Sequence, residues 1–271
     1  MSRGLTKSSL LYVGLSLGLV FLSCKPDGPA ATAPKQPAAS RSADAPPHDW
    51  VAYPAVVASE RQNPCQRLLS AAPNITEICC ALGLADCLVG RTRYCHYPPQ
   101  ITAVPSIGAL NDLNSEALLQ LRPDLVLVAG TSRAIVERLA RLNVRLECLP
   151  DATLDDLYAS IERIGALTGR GQTAARLKAG IRGDLEAIAA RCVVGPRRRV
   201  LVVLGALPQP PAAVHAAGPG SFYDDLLRTA GHVNAAADAD RAFAPLSLEF
   251  ILQADPDVIV EVLGDPAVRS R

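Results

Sequence analysis

Two carboxylates occupy matching places in two near-copies of one phrase. "SEALLQLRPDLVLV" (residues 115–128) and "SLEFILQADPDVIV" (247–260) each begin at an acidic helix start, run through a helical stretch, and turn at Pro-Asp into an apolar strand. Laying Glu116 on Glu249, an offset of 133 positions, also lays Gln120 on Gln253, Pro123 on Pro256 and Asp124 on Asp257. Such carboxylates could act as acid and base, as metal ligands, or as the anionic half of charge-assisted pairs. Asp255 and Asp257 flank Pro256 in a helix-to-strand turn and read as turn residues rather than a catalytic pair. Each glutamate follows a residue of N-cap type, Asn114 or Ser247. Compensation of the helix dipole explains an acid somewhere in that first turn. It does not explain the same acid in both copies at the same distance from the same Pro-Asp.

The other chemistry-bearing run is "TRYCHYPP", residues 92–99, with Tyr94, Cys95 and His96 in succession. The chain has four histidines, His48, His96, His215 and His232. A closed all-protein metal site needs about four convergent ligands, and no C-x-x-C stands with a second pair or with histidines. Direct binding of a bare metal ion is therefore not expected, while a single thiol or imidazole as one axial ligand stays open. No G-x-S-x-G elbow, H-E-x-x-H, P-loop or paired catalytic carboxylate is present, and an enzyme is not expected.

These residues sit in a chain of 271, long enough for two medium domains, and an offset of about a domain length favours two. With 27 Lys+Arg against 26 Asp+Glu there is no electrostatic footprint for nucleic acid. Hydrophobic residues make up 49% and aromatic ones 4%, so the core is aliphatic and rings for gripping a ligand are few.

Residues 1–23 read as an export signal: basic Arg3 and Lys7, then an apolar run too short for a comfortable membrane span, ending at Ser23-Cys24. "FLSC" resembles a bacterial lipobox, which makes Cys24 the expected lipidation site and mature N-terminus. Residues 24–62, rich in Pro, Ala and small polar types, lack the apolar periodicity of a packed segment and read as a disordered tether. Seven further cysteines, at 65, 79, 80, 87, 95, 148 and 192, make an odd set whose pairing one sequence does not determine. Cys79 and Cys80 fall in an apolar helical stretch, where a free cysteine behaves as a small core residue.

From residue 63 to 152, short apolar strands alternate with helices. "RLLSAAP" reads as a strand leading to a helix with Asn74 and Thr76 available as caps, "CLVGRTRY" as a second strand, and residues 114–121, 124–128, 132–143 and 144–149 as helix, strand, helix and strand. That alternation predicts a parallel α/β sheet. Residues 153–192 carry apolar residues at helical spacing throughout, with a break or kink at Gly169–Gly171, and predict a spine of about 60 Å between two domains. From 193 to 271 the strand pattern restarts at "RRVLVVLGA", followed by a helix at "SFYDDLLRTAGHVNAAA" with a stop at Gly231, and then the second copy of the phrase.

In this order and wording, "RLLSAAPNITEICCALGLADCLVGRTRYCHYPP", "LNSEALLQLRPDLVLVAG", "GPGSFYDDLLRTAGHVNAAAD" and "PLSLEFILQADPDVIV" resemble the substrate-binding proteins of cobalamin and iron-siderophore ABC importers. The resemblance covers about residues 66–265. It implies two Rossmann-like α/β lobes joined by a rigid backbone helix, with a ligand in the cleft between them. The ligand it implies is a cobalt corrinoid first and a ferric siderophore or haem second, with no resident cofactor. Carried over position by position, it assigns ligand contact to Pro73, Asn74, Tyr94, Leu110, Gly130, Thr131, Ser132, Phe222 and Phe243.

Leu110 and Phe243, each six residues before its glutamate, stand where cobalamin binders of the family carry tryptophan. Ala129 stands where they carry a third large aromatic, and the single Trp50 lies at the tether edge. Glu116 and Glu249 correspond to the family's pair of permease-docking glutamates, one on each lobe. The implied partner is a two-fold ABC permease, engaged by an exported, lipid-anchored monomer. Family members continue past the last apolar strand with another strand and a long helix, whereas this chain stops at "LGDPAVRSR", so an incomplete C-terminal lobe is expected, either from a truncated sequence or in a shortened homologue. A ligand-sensing or degenerate paralogue is the alternative of a different class.

Overall fold

The computed structural model describes residues 19–24, 67–109, 112–130, 137, 139, 141–192, 195–205 and 213–263. The chain runs β1 (Leu19–Cys24), β2 (Leu68–Ser70), α1 (Pro73–Ala81), β3 (Leu88–Arg91), α2 (Ser115–Gln120), β4 (Leu125–Ala129), β5 (Leu146–Leu149), α3 (Leu154–Thr168) and α4 (Gly171–Cys192). It continues through β6 (Arg199–Leu204), β7 (Val214–Ala217), α5 (Phe222–Thr229), β8 (Val233–Asn234), β9 (Phe243–Leu246), α6 (Leu248–Ala254) and β10 (Val258–Leu263). It divides into two compact units, one ending at Ala187 and the other resuming at Ile188, within α4.

The first unit is built on a fully parallel sheet in the order β3-β2-β4-β5. Strand β4 is buried along its whole length, and its side chains alternate between two cores as the pleat requires. Leu125, Leu127 and Ala129 join Leu68 with Ile75 and Cys79 of α1 and Ile161 and Ile164 of α3. Val126 and Val128 join Leu69, Leu118 and Leu139 on the opposite face. Both faces are thus covered, the arrangement that near-continuous apolar strands demand.

Two expectations change here. Helix α1 starts earlier than the caps suggested: Pro73 is its first residue, and Ala72 is the N-cap with no side-chain hydrogen bond. Thr76, instead of capping, sits inside the helix and donates back to the Ala72 carbonyl. Pro73 suits the first helical position because its fixed φ is that of a first turn and its missing N–H is one that would have had no partner within the helix.

The second correction concerns residues 153–192, which are not one spine. Thr153 and Asp156 form a capping box that starts α3, and Gly169 ends it in the left-handed region, φ 70°. Beyond it the chain doubles back. Lys178 pairs with Glu162, and the Arg182 guanidinium lies 4.8 Å from the centroid of the Tyr158 ring. In a straight helix residues 158 and 182 would stand about 36 Å apart. Gly165 permits the close approach, because a Cβ there would come within 2.5 Å of Ala174 Cβ. Helix α3, with Ala174 and Leu177 of α4, therefore packs on the first unit's core, and only α4, about 33 Å long, carries the chain onward.

The second unit holds a six-stranded sheet in the order β1-β10-β6-β7-β9, with β8 pairing β6 beside β7. Strands β10 and β8 run parallel to β6, whereas β7 is antiparallel to β6 and β9 to β7, so this sheet is mixed. Strand β1, which ends at Cys24, pairs antiparallel with β10 over Leu19↔Leu263 to Cys24↔Val258. The sequence had placed the end of an export signal there, not a strand. Helix α5 stops at Thr229 and Gly231 takes φ 74°, which shortens the expected helix at its glycine.

Candidate functional site

In the first unit, the carboxyl ends of β2, β3 and β4 lead directly to four of the expected ligand positions. Pro73 and Asn74 open α1 after β2, Tyr94 follows β3, and Gly130 follows β4. Chain order reverses between β2 and β4, and the crevice outside such a switch point is where open α/β sheets take their ligands. The Gly130 N–H donates to the Leu149 carbonyl at 2.7 Å, and a Cβ there would meet that oxygen at 2.9 Å, so the backbone turn excludes any larger residue. Leu110, Thr131 and Ser132 lie outside the described residues.

Tyr94 is 47% exposed, the most open ring on the described part of this unit. A residue that sequence reasoning passed over holds it there. Arg91, the last residue of β3, is buried, and its guanidinium donates to five carbonyls of the following loop. Nε reaches Ile101 and Val104 at 2.9 and 3.0 Å, Nη1 reaches Thr92 and Cys95 at 3.1 Å each, and Nη2 reaches Thr102 at 3.0 Å. The planar fork thus pins both ends of the segment that displays Tyr94. The signal in the sequence was an arginine closing a buried strand just before a Pro-rich loop, where backbone carbonyls lack ladder partners.

Beneath Tyr94, Cys95 is fully buried, with the Thr76 and Thr92 hydroxyls 3.0 and 3.1 Å from its sulfur. His96 Nε2 is buried without a hydrogen-bond partner among the described residues. Burial raises the Cys79 thiol far above its ordinary range, and burial with the nearby Glu77 carboxylate pushes Cys80 up to about 12, so both are unreactive core thiols. Cys87 is disulfide-bonded, while Cys79, Cys80, Cys95, Cys148 and Cys192 are free. Among the described residues, no group of three or more His, Cys, Asp or Glu could hold a metal ion.

The second unit contributes two rings at one end of its sheet. Phe243 opens β9 and pairs with Ala217, the last residue of β7, and is 41% exposed. Phe222 opens α5 five residues after Ala217, packed edge-on against Tyr223 at 5.7 Å. The intervening turn is close-packed: a Cβ on Gly218 would stand 2.2 Å from the Arg241 carbonyl.

A carboxylate braces this corner. Burial works to raise the pKa of Asp224, but donors from Arg228 (2.5 Å), the Gly220 N–H (3.1 Å) and Asn234 (3.1 Å) outweigh it and hold the group below its ordinary 3.8. The folded protein then binds fewer protons than the unfolded chain. The stabilisation is present above the unfolded value and is lost as pH falls through the folded one. In acid titration followed by circular dichroism, wild type is expected to lose stability more steeply below about pH 4 than Asp224→Asn.

The two copies of the repeated phrase fold alike in detail. Asn114 accepts from the Ala117 N–H at 2.9 Å and Ser247 from the Phe250 N–H at 3.2 Å, so both expected N-caps form. At the far end, Arg122 and Asp255, again 133 apart, both take left-handed conformations, φ 45° and 41°. Asp124 then accepts from the Arg67 N–H at 2.9 Å, and Arg67 Nη2 donates to the Leu121 carbonyl at 2.7 Å. In the second copy Asp257 accepts from the Arg199 N–H at 2.8 Å, and Arg199 Nη2 donates to the Ala254 carbonyl at 2.8 Å.

Each helix end is therefore clasped by an arginine of the central strand of its sheet region, Arg67 just before β2 and Arg199 at the start of β6. This accounts structurally for the repeated Pro-Asp. It leaves Glu116 and Glu249 exposed and, among the described residues, without an ion-pair partner. Hydrogen bonds from its own backbone N–H and from Ser247 lower the pKa of Glu249 and keep it ionised.

The family profile described as "Periplasmic binding protein" matches residues 68–262. The chain belongs to the periplasmic binding protein family. An uncharacterized ABC transporter substrate-binding lipoprotein of Bacillus subtilis is 29% identical over 205 residues, which cover 73% of this chain and 64% of that protein. A vitamin B12-binding protein of Vibrio cholerae is 26% identical over 198 residues, 72% and 70% of the two chains. This periplasmic binding protein thus spans about two thirds of those relatives' length. Among solved structures, the periplasmic heme-binding protein RhuT from Roseiflexus sp. RS-1 superposes with a TM-score of 0.62 at 29% identity, covering 72% of this chain and 76% of its own. The vitamin B12-binding protein BtuF of Vibrio cholerae gives 0.62 at 26%, with the same coverage.

Proposed function

We propose that this protein captures a planar metal chelate, a cobalt corrinoid first, with the loops that follow the strands of each unit, and delivers it to an ABC importer. The observation that carries the reading is Tyr94: a half-exposed ring, pinned by Arg91, beyond the carboxyl end of a parallel strand in a chain of this family. Phe222 and Phe243 supply the apolar contacts of the second unit, Leu110 an aliphatic contact of the first, and Pro73, Asn74, Gly130, Thr131 and Ser132 its small groups. The protein acts as a carrier and not as an enzyme. Glu116 and Glu249 are the charges it offers to a two-fold permease, one from each unit.

Haem is the second reading, favoured by the phenol of Tyr94, which has no hydrogen-bond partner among the described residues and is of the donor class that holds ferric haem. One pair of variants separates the two. Tyr94→Phe keeps the ring and loses the oxygen. It is expected to leave cyanocobalamin affinity within about twofold, whereas Tyr94→Ala lowers it about tenfold. If Tyr94→Phe shifts the absorption spectrum of bound hemin and weakens it as much as Tyr94→Ala does, the haem reading replaces the corrinoid one.

The mature form begins at a lipidated Cys24, followed by the tether to residue 62, and works as an extracytoplasmic monomer. Cleavage before Cys24 would remove Leu19–Ser23, so strand β1 belongs to the unprocessed chain.

A further inference from the structure

The clasped helix ends account for Pro-Asp in both copies of the repeated phrase, but one further coincidence has no structural explanation. Leu119 and Leu252 stand three residues after Glu116 and Glu249, at the same offset of 133, and both are exposed, by 47% and 69%. Their chain neighbours Leu118 and Ile251 are buried, at 0% and 8%, and complete the cores under α2 and α6. A single exposed leucine is unremarkable on a protein surface. Two at equivalent positions, in segments where the adjacent Ala117 has become Phe250 and Leu121 has become Ala254, are not explained by packing. Residues three and four apart share one helix face, so Glu116, Leu119 and Gln120 form one patch, and Glu249, Leu252 and Gln253 another.

We infer that Leu119 and Leu252 are the apolar anchors of permease docking, each seated in a hydrophobic pocket beside the cation that meets its glutamate. The inference rests on the docking reading of the glutamates and adds to it. An exposed ion pair contributes little by itself, and charge fixes orientation and encounter more than residence. A buried aliphatic side chain at the centre of each contact supplies what the ion pair lacks. Because the same Glu-x-x-Leu-Gln patch occurs once on each unit, the partner it fits presents two equivalent acceptor sites, as a symmetric dimer does.

The test measures docking of the full chain, without cargo, to its permease dimer in lipid nanodiscs by biolayer interferometry. Leu119→Ser and Leu252→Ser are each expected to weaken docking about tenfold, mainly through faster release, and the double variant by more than either. Thermal midpoint and cyanocobalamin affinity should not change. If Leu→Ser lowers the midpoint, Leu→Ala at the same two sites replaces it. Unchanged docking in the leucine double variant, with docking lost in Glu116→Arg/Glu249→Arg, overturns the anchors and leaves the glutamates standing. Docking unaffected by either double variant overturns the underlying reading as well. A wild-type chain that self-associates, and whose leucine variants become monomeric while docking normally, would make the patches a contact between copies and likewise overturn the proposal.

Discussion

Reversing both proposed docking charges, in Glu116→Arg/Glu249→Arg, is expected to abolish chelate uptake by cells or proteoliposomes while ligand affinity stays within about twofold of wild type. The sign follows from placement. Both glutamates are exposed in the first turn of short helices, and the acids of the turns that follow, Asp124 and Asp257, are engaged in holding the helix ends. Removing the carboxylates loses attraction; replacing them with arginine adds repulsion against the cations that would receive them, and does so twice. Each single reversal should leave partial transport, because one of the two contacts survives. Loss of ligand affinity in the double variant would place these residues at the ligand and reject the docking assignment. Unaltered transport would reject it too.

Replacing Arg91 is expected to have the largest effect on the folded body. Arg91→Ala strands carbonyls of Thr92, Cys95, Ile101, Thr102 and Val104 that now share one guanidinium. Hydrogen bonds to a charged donor are among the stronger ones, and a loss on the order of 3 kcal/mol is expected in urea denaturation. Arg91→Lys should recover little, since one ammonium cannot reach acceptors spread along the edge of a planar fork. Because the same loop displays Tyr94, chelate affinity should fall in both variants even where the protein remains folded. A lysine variant with wild-type midpoint and affinity would show that the loop holds itself.

Much of this was legible in the sequence because it depends on local pattern. The strand-helix alternation, the buried run Leu125–Ala129 and both N-caps, Asn114 and Ser247, followed from periodicity and cap chemistry. The doubled-back helix pair did not. Apolar residues at Leu157, Ile161, Ile164 and Leu177 repeat at helical spacing whether the chain runs on or reverses at Gly169. Only contacts distant in sequence, Tyr158 with Arg182 and Gly165 with Ala174, distinguish the two.

Strands β7 and β9 were missed for a related reason. "VHAA" and "FAPL" carry alanine and proline instead of branched residues, and Pro245 is tolerated because β9 lies at a sheet edge. Arg91 escaped notice because its partners are backbone carbonyls, which no side-chain motif records. The coincidence of Leu119 with Leu252 was present in the letters, but only exposure separates those two from their buried neighbours.

The central claim, that this periplasmic binding protein carries a metal chelate, is tested most directly by titrating the purified chain with cyanocobalamin, hemin and several ferric siderophores in an isothermal calorimeter. The account predicts one-site binding to one of them with a Kd of about 1 μM or tighter, equivalent to roughly −8 kcal/mol. No heat from any chelate, in a sample whose circular dichroism and cooperative unfolding show it to be native, would contradict it.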